Sequence, residues 1–198
     1  MFTGIIEAIG SIQSITNLGE DSRYVFNTGK LSLDDMQLGD SIAVNGCCLT
    51  IIEKTENGFS ADLSKETLAV TGFQYLETDS HINLERAMQL SDRINGHLVS
   101  GHIDGMASII SMNEEGRSIQ YDFRVPNVLM KYISQKGSVT VDGVSLTVNS
   151  VSDEQFSVNI IPHTLQETIF QHYQIGSHVN IEVDMMARYL EQLIKHDK

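Results

Sequence analysis

A chain of 198 residues, 41% hydrophobic and 20% charged, has the composition of a folded globular protein with material for one large core or two smaller ones. Its formal net charge of −13 argues against partners that present a phosphate backbone or an anionic surface, so neither nucleic acid nor membrane is expected to bind. No apolar run approaches the ~18 residues of a membrane span. Met1 leads into Phe2-Thr3-Gly4-Ile5-Ile6 with no basic leader, which points to a cytoplasmic location.

Taken in order, the chain reads mostly as short strands. In the first half Ile42 and Val44, then Phe59, Ala61 and Leu63, alternate with small or polar residues, and glycines at 10, 39, 46, 58 and 72 supply the turns. Residues 84–94 are a candidate short helix. In the second half Val139 and Val141, then Phe156, Val158 and Ile160, alternate in the same way, between glycines at 105, 116, 137, 143 and 176. The chain closes on a stronger helix over 185–195. Its stripe of Met185, Met186, Tyr189, Leu190, Leu193 and Ile194 is apolar enough to need a partner, with another subunit slightly favoured over its own domain.

The two halves are one plan written twice. Asp40 to Ile51 contains Ser-Ile-Ala-Val-Asn-Gly-Cys-Cys-Leu-Thr, and Gly137 to Val148 contains Ser-Val-Thr-Val-Asp-Gly-Val-Ser-Leu-Thr; subtracting Gly46 from Gly143 gives an offset of 97. The same offset carries Thr3-Gly4 onto Ser100-Gly101, Phe59-Ser60 onto Phe156-Ser157, and Ser80-His-Ile-Asn-Leu-Glu onto Ser177-His-Val-Asn-Ile-Glu without a gap. A period near 100 is too long for a solenoid unit, so each copy is expected to be a domain. The organisation is therefore mainly β, with a barrel at 1–97, a second at 98–184 and a terminal helix at 185–198. About six short strands per half would close as a small Greek-key barrel, which leaves no open edge.

Chemistry is harder to read. Cys47 and Cys48 are adjacent and would point to opposite faces of a strand, so no disulfide or zinc site follows from them. His97 and His102 lie five apart in a glycine-rich stretch, which is not a ligand spacing, and neither a Gly-x-Ser-x-Gly elbow nor a phosphate loop is present. Gly46 and Gly143 fit either a tight bend or a place where backbone approaches a ligand. If Leu49 and Leu146 fill the cores, Cys48 with Thr50, and Ser145 with Thr147, face outward on rigid strands. The copies differ at a few places: Cys48 against Ser145, Ile5 against His102, and Glu66 against His163.

Met1-Phe-Thr-Gly-Ile, Asn45-Gly-Cys-Cys-Leu-Thr, Asn83-Leu-Glu-Arg-Ala, Gly96-His-Leu-Val-Ser-Gly-His, Lys136-Gly-Ser, Asp142-Gly-Val-Ser-Leu-Thr-Val, Ile161-Pro-His-Thr and Asn180-Ile-Glu together resemble the riboflavin synthase family of the alpha-chain, lumazine-binding repeat type, from residue 1 to about 190. The resemblance implies dismutation of 6,7-dimethyl-8-ribityllumazine, two molecules giving riboflavin and 5-amino-6-ribitylamino-uracil, with no cofactor and no metal. It implies two six-stranded barrels, a homotrimer gathered by the C-terminal helix, and a reaction between the N-terminal barrel of one subunit and the C-terminal barrel of the next. Association with lumazine synthase belongs to the same set of expectations. For the N-terminal site it implies Gly4, Ile5, Ile6, Cys48, Leu49, Thr50, Asp62, Leu63, Ser64, Lys65, Glu66 and Thr67. For the C-terminal site it implies Gly101, His102, Ile103, Ser145, Leu146, Thr147, Ile160, Ile161, Pro162, His163, Thr164 and Leu165, with Lys136 reaching a neighbour's ligand. His102, Cys48 and Ser41 are the expected catalytic groups. The rival reading is a non-catalytic antenna protein that holds a lumazine or flavin.

Overall fold

In the computed structural model, which describes residues 1–196, the alternation is realised as two copies of one strand plan. The first copy runs β1 (Ala8–Leu18), β2 (Asp21–Asn27), β3 (Ser41–Val44), β4 (Cys47–Thr50), β5 (Glu53–Thr55), β6 (Gly58–Leu63), α1 (Lys65–Val70) and β7 (His81–Arg86). The second runs β8 (Gly105–Glu115), β9 (Ser118–Arg124), α2 (Asn127–Met130), β10 (Ser138–Val141), β11 (Val144–Ser152), β12 (Gln155–Ile160), α3 (Pro162–Glu167) and β13 (His178–Val183), followed by α4 (Met185–His196). Aromatic rings fill both cores at equivalent positions. Phe26 and Phe59 lie 5.0 Å apart in one, Phe123 and Phe156 5.1 Å apart in the other, with Phe73 and Phe170 beside them.

The second copy is a closed six-strand barrel in the order β10-β11-β12-β9-β8-β13. The first is a seven-strand sheet in the order β4-β3-β7-β1-β2-β6-β5, whose two end strands are consecutive pieces of chain. The ring is completed covalently through Ile51 and Ile52, and the Ile52 N–H reaches Ser60 O at 3.0 Å. The equivalent place in β11 is a register shift between Val148 and Ser150, so the same bend is absorbed as a bulge in one copy and breaks the ladder in the other.

The helix expected over 84–94 is absent: residues 81–86 are β7 and residues 87–98 are irregular. Ile82 and Leu84 enter the core at strand spacing, paired with Gly10 and Ala8 of β1, and this long-range pairing overrides local helical preference.

The copies face one another about a pseudo-twofold axis. Phe2 forms an antiparallel bridge with Val99, its own equivalent, and Gly46 packs on Gly143, also its equivalent. Asn45-Gly46 and Asp142-Gly143 are the two-residue turns of the β3–β4 and β10–β11 hairpins, with positive φ at all four positions, as the primed turns require. The tight-bend reading of these glycines is therefore met by the hairpins, and the close approach is to the sibling glycine. Asn83 Nδ2 donates to Asp142 O at 2.9 Å while its Oδ1 accepts the Ile169 N–H; Asn180 Nδ2 donates to Asn45 O at 2.9 Å while its Oδ1 accepts the Gly72 N–H. His81 stacks on His172, and His178 on Tyr75, as the symmetric ring pairs.

Asp142 breaks this symmetry, since Asn45 stands at its equivalent. Its carboxylate accepts the Asn180 N–H at 2.8 Å and the Tyr173 hydroxyl, but complete burial pushes its pKa from 3.8 up to about 7, an effect those bonds only offset. A carboxyl raised in the folded state binds more protons folded than unfolded, so its contribution to stability falls as pH rises from about 4 to about 7 and is flat above. Asp142→Asn keeps the acceptor that Asn45 uses for Asn83 N–H. It is expected to stabilise the protein on the order of 2 kcal/mol at about pH 8 and by much less at about pH 4. Denaturant melts at both pH values check it; equal effects at the two would contradict the assignment.

Candidate functional site

Strand period places Ser41, Ala43, Cys48 and Thr50 on the outer face of β3–β4 while Ile42 and Leu49 enter the core, and Ser145 and Thr147 take the matching place on β11 with Leu146 inside. What covers these faces comes from the other copy. The Cys48 N–H donates to Gly101 O at 2.8 Å, and a Cβ on Gly101 would lie 2.5 Å from Cys48 Cβ. Symmetrically, the Ser145 N–H donates to Gly4 O at 2.8 Å, and a Cβ on Gly4 would lie 2.6 Å from Ser145 Cβ. Ile6 packs on the second core and Ile103 on the first. The segment of Gly4, Ile5 and Ile6 thus docks through Gly4 on Ser145, and the segment of Gly101, His102 and Ile103 docks through Gly101 on Cys48, whereas the expected sites grouped Gly4 with Cys48 and Gly101 with Ser145. The cause is the Phe2–Val99 bridge on the axis, which sends each opening segment across to the sibling.

Two outward patches result. The first combines Ser41, Cys48 and Thr50 with Gly101, His102 and Ile103; the second combines Ser145 and Thr147 with Gly4, Ile5 and Ile6. The three expected catalytic groups, Ser41, Cys48 and His102, all fall on the first. Cys48 borders a small apolar cluster of Phe2, Ala43 and Val99, whereas Ser145 Oγ lies 2.7 Å from His97 Nδ1. Burial lowers the His97 pKa, keeping its ring neutral and able to exchange a hydrogen bond with that hydroxyl. Burial pushes the neighbouring Cys47 thiol up to about 12, so it is inert at neutral pH.

Each opening segment is clamped by a buried carboxylate of its own copy. Glu85 accepts from Thr3 N–H (2.7 Å), Thr3 Oγ1 (2.9 Å) and Gly4 N–H (3.0 Å); Glu182 accepts from Ser100 N–H (2.7 Å), Ser100 Oγ (2.6 Å) and Gly101 N–H (2.9 Å). Burial raises Glu85 to about 7 against those three donors. Both carboxylates, with Phe2 and His97, lie within the motifs quoted from the sequence but were not among the expected site residues. The available signal was Asn83-Leu-Glu85 and Asn180-Ile-Glu182, an amide and an acid placed twice in apolar strands.

The other expected residues divide by face. Leu63 and Ile160 are core side chains like Leu49 and Leu146, and offer a ligand only backbone. Asp62 is held by Arg23 in a two-pronged ion pair of 2.7 and 2.9 Å. Ser64 caps α1 by accepting the Thr67 N–H, and Lys65 pairs with Glu20. Glu66 is exposed, as are Ile161, Pro162 and His163 around the start of α3, while Thr164 and Leu165 are half-buried and Leu165 packs on the second core. Lys136 is exposed in a left-handed turn before β10. A cavity of about 890 Å³ lies under residues 87–95 and touches only Ile5 and Ser41 of these residues. Among the described residues no cluster of three or more His, Cys, Asp or Glu could hold a metal ion, and no helix is long and apolar enough to cross a membrane.

The lumazine binding domain family model matches residues 3–87 and again 100–184. Tandem lumazine-binding domains with reciprocal patches are thus the class that fold and site define. Riboflavin synthase of Photobacterium phosphoreum is 50% identical over 198 residues, covering 100% of this chain and 91% of that protein; riboflavin synthase of Bacillus subtilis is 44% identical over 194 residues, covering 98% and 90%. The chain belongs to the riboflavin synthase family. Among solved structures, LumP complexed with riboflavin superposes with a TM-score of 0.86 at 25% identity, and LumP complexed with 6,7-dimethyl-8-(1'-D-ribityl) lumazine with 0.83 at 26%, each over 93% of this chain.

Proposed function

We propose that the chain is a riboflavin synthase that converts two molecules of 6,7-dimethyl-8-ribityllumazine into riboflavin and 5-amino-6-ribitylamino-uracil. The observation that carries this is a pair of patches built to one plan but furnished unequally: Cys48 under Gly101, with His102 next in the chain, in the first, and Ser145 under Gly4, with Ile5 next in the chain, in the second. One molecule that must serve as both donor and acceptor of a four-carbon unit needs one recognition frame used twice and a chemical difference between the uses.

Both patches face outward, so a bimolecular reaction is best served when the first patch of one subunit meets the second patch of another. The exposed face of α4, with Met186, Tyr189, Leu190, Leu193 and Ile194, is the apolar surface that would gather three copies. Lys136 would then reach a ligand held by the neighbour, and a lumazine synthase is the further partner the family suggests. Holding two ring systems face to face would supply much of the rate through effective concentration. Within that arrangement a base takes a proton from the C7 methyl of one lumazine while water or a side chain adds to C7 of the other. His102, exposed and on a segment clamped at its base, suits the proton transfer, with Cys48 and Ser41 beside it.

Incubation with dimethyl-ribityllumazine is expected to produce riboflavin absorbance, one molecule per two consumed, and His102→Gln to slow it at least about tenfold. Stable bound lumazine without product would instead support an antenna protein of the LumP kind. Near-normal turnover in both His102→Gln and Cys48→Ser would refute the allocation of roles.

A further inference from the structure

The two opening segments are anchored by different kinds of element. In the first copy the carboxylates Glu7 and Glu85 flank residues 3–7, and the cation that meets Glu7 is Arg86 of β7 itself, Nη2 to Oε2 at 2.7 Å, with Asp35 as its second partner. In the second copy Asp104 and Glu182 occupy the same two places, but Val183 stands where Arg86 would. The cation there is Arg188 of α4. Its Nη2 lies 3.1 Å from Asp104 Oδ2, 3.8 Å from Glu182 Oε1 and 3.4 Å from His102 O. Asp104 also accepts the Val183 N–H at 2.8 Å, and Glu182 holds Ser100 and Gly101, so one guanidinium joins the start, middle and end of the segment that carries His102. The first-copy equivalent of Arg188 is Ser91, in the irregular stretch that borders the 890 Å³ cavity beside Glu7 and Glu85.

We infer that Arg188 is a positioning residue that couples the lie of α4 to the His102 segment, making the first patch, and only that patch, dependent on how the terminal helix is held. The inference rests on the proposed role of His102. Its physical basis is that the Arg188 side chain is two-thirds buried and faces a carboxylate, Glu182, that is 1% exposed, so the charge cannot be replaced by water at no cost. A further tie of α4 to the barrel is Glu191, which accepts from Lys131 and Tyr132 of the second copy. With its apolar face open to a second copy, α4 is the element whose position assembly would set, and Arg188 is the link by which that position reaches the site.

Full-length Arg188→Met and Arg188→Lys test this, with sedimentation and melting temperature recorded for each. Arg188→Met is expected to lower kcat/KM about tenfold and lumazine affinity about fivefold at an unchanged assembly state. It should also move the acid limb of the pH profile upward. Burial already raises the Asp104 carboxyl; without Arg188 it faces Glu182 with only the Val183 N–H and His102 in its favour, and it protonates at higher pH. Arg188→Lys should restore most of the rate and the limb. Wild-type rate, affinity and pH profile in Arg188→Met would overturn the inference, as would losses that Met and Lys share in step with melting temperature. Failure of the functional reading is distinguishable, since wild-type protein would then form no riboflavin while the difference in lumazine affinity would still report on the link.

Discussion

Gly101→Ala is expected to reduce riboflavin formation by about a hundredfold while leaving a folded protein. Gly101 sits at φ +83°, and its missing side chain makes room for β4: a Cβ would lie 2.5 Å from Cys48 Cβ and 2.9 Å from Phe2 Cε2. Cys48 belongs to a strand paired along its length with β3, so the opening segment is what must move. That segment is short, carries His102 at the next position, and is held by the Gly101 N–H to Glu182 and the Cys48 N–H to Gly101 O. A displacement of about 1 Å at a reacting group costs on the order of a hundredfold, far more than the strain costs in stability. Gly4→Ala makes the same collision with Ser145 and shifts Ile5, so it should impair binding at the second patch without moving His102. Rates and melting curves for the two variants check this, and a Gly101→Ala protein with wild-type turnover would show that the contact of this segment with β4 is not needed.

The largest effect on stability is expected from Gly46→Ala. Here the obstacle is backbone on both sides: a Cβ at residue 46 would lie 2.6 Å from Gly143 N and 2.9 Å from its Cα, at φ +78°. Left-handed strain costs about 1–2 kcal/mol and overpacking against a rigid neighbour about 1–3, so a loss of about 2–5 kcal/mol is expected. For a chain of this size that corresponds to a fall in melting temperature of about 10 °C. The halves cannot separate locally to relieve the clash, because the reciprocal Asn83 and Asn180 amides bond on the same axis and would leave buried groups unpaired. Gly19→Ala separates the two causes. Gly19 has φ +87° but nothing within 4 Å, so it should show the strain alone. Equal melting shifts for the two variants would mean that the contact between the glycines contributes nothing.

The sequence by itself determined everything that depends on a residue's own neighbours along the chain. The offset of 97 placed both copies, strand alternation put Leu49 and Leu146 inward with Cys48 and Ser145 outward, and the apolar stripe located α4. The motifs that repeat, and the places where the copies differ, pointed to the riboflavin synthase family. Only the tertiary structure decided which surfaces meet. A repeat in sequence is a translation along the chain, whereas the two copies are related in space by a rotation. No periodicity therefore tells that Gly101 docks on Cys48 and Gly4 on Ser145, or that Gly46 meets Gly143. Residues 84–86, expected at the start of a helix over 84–94, were misread for the same reason, because their strand state comes from pairing with β1 and β3, far away in sequence. Glu85, Glu182 and Arg188 stayed illegible because a charged residue in an apolar strand or on a helix face declares its role only when its partners are seen. Thr3 for Glu85, Ser100 for Glu182 and Asp104 for Arg188 each lie about 80 residues away, brought close by the barrels and the axis between them.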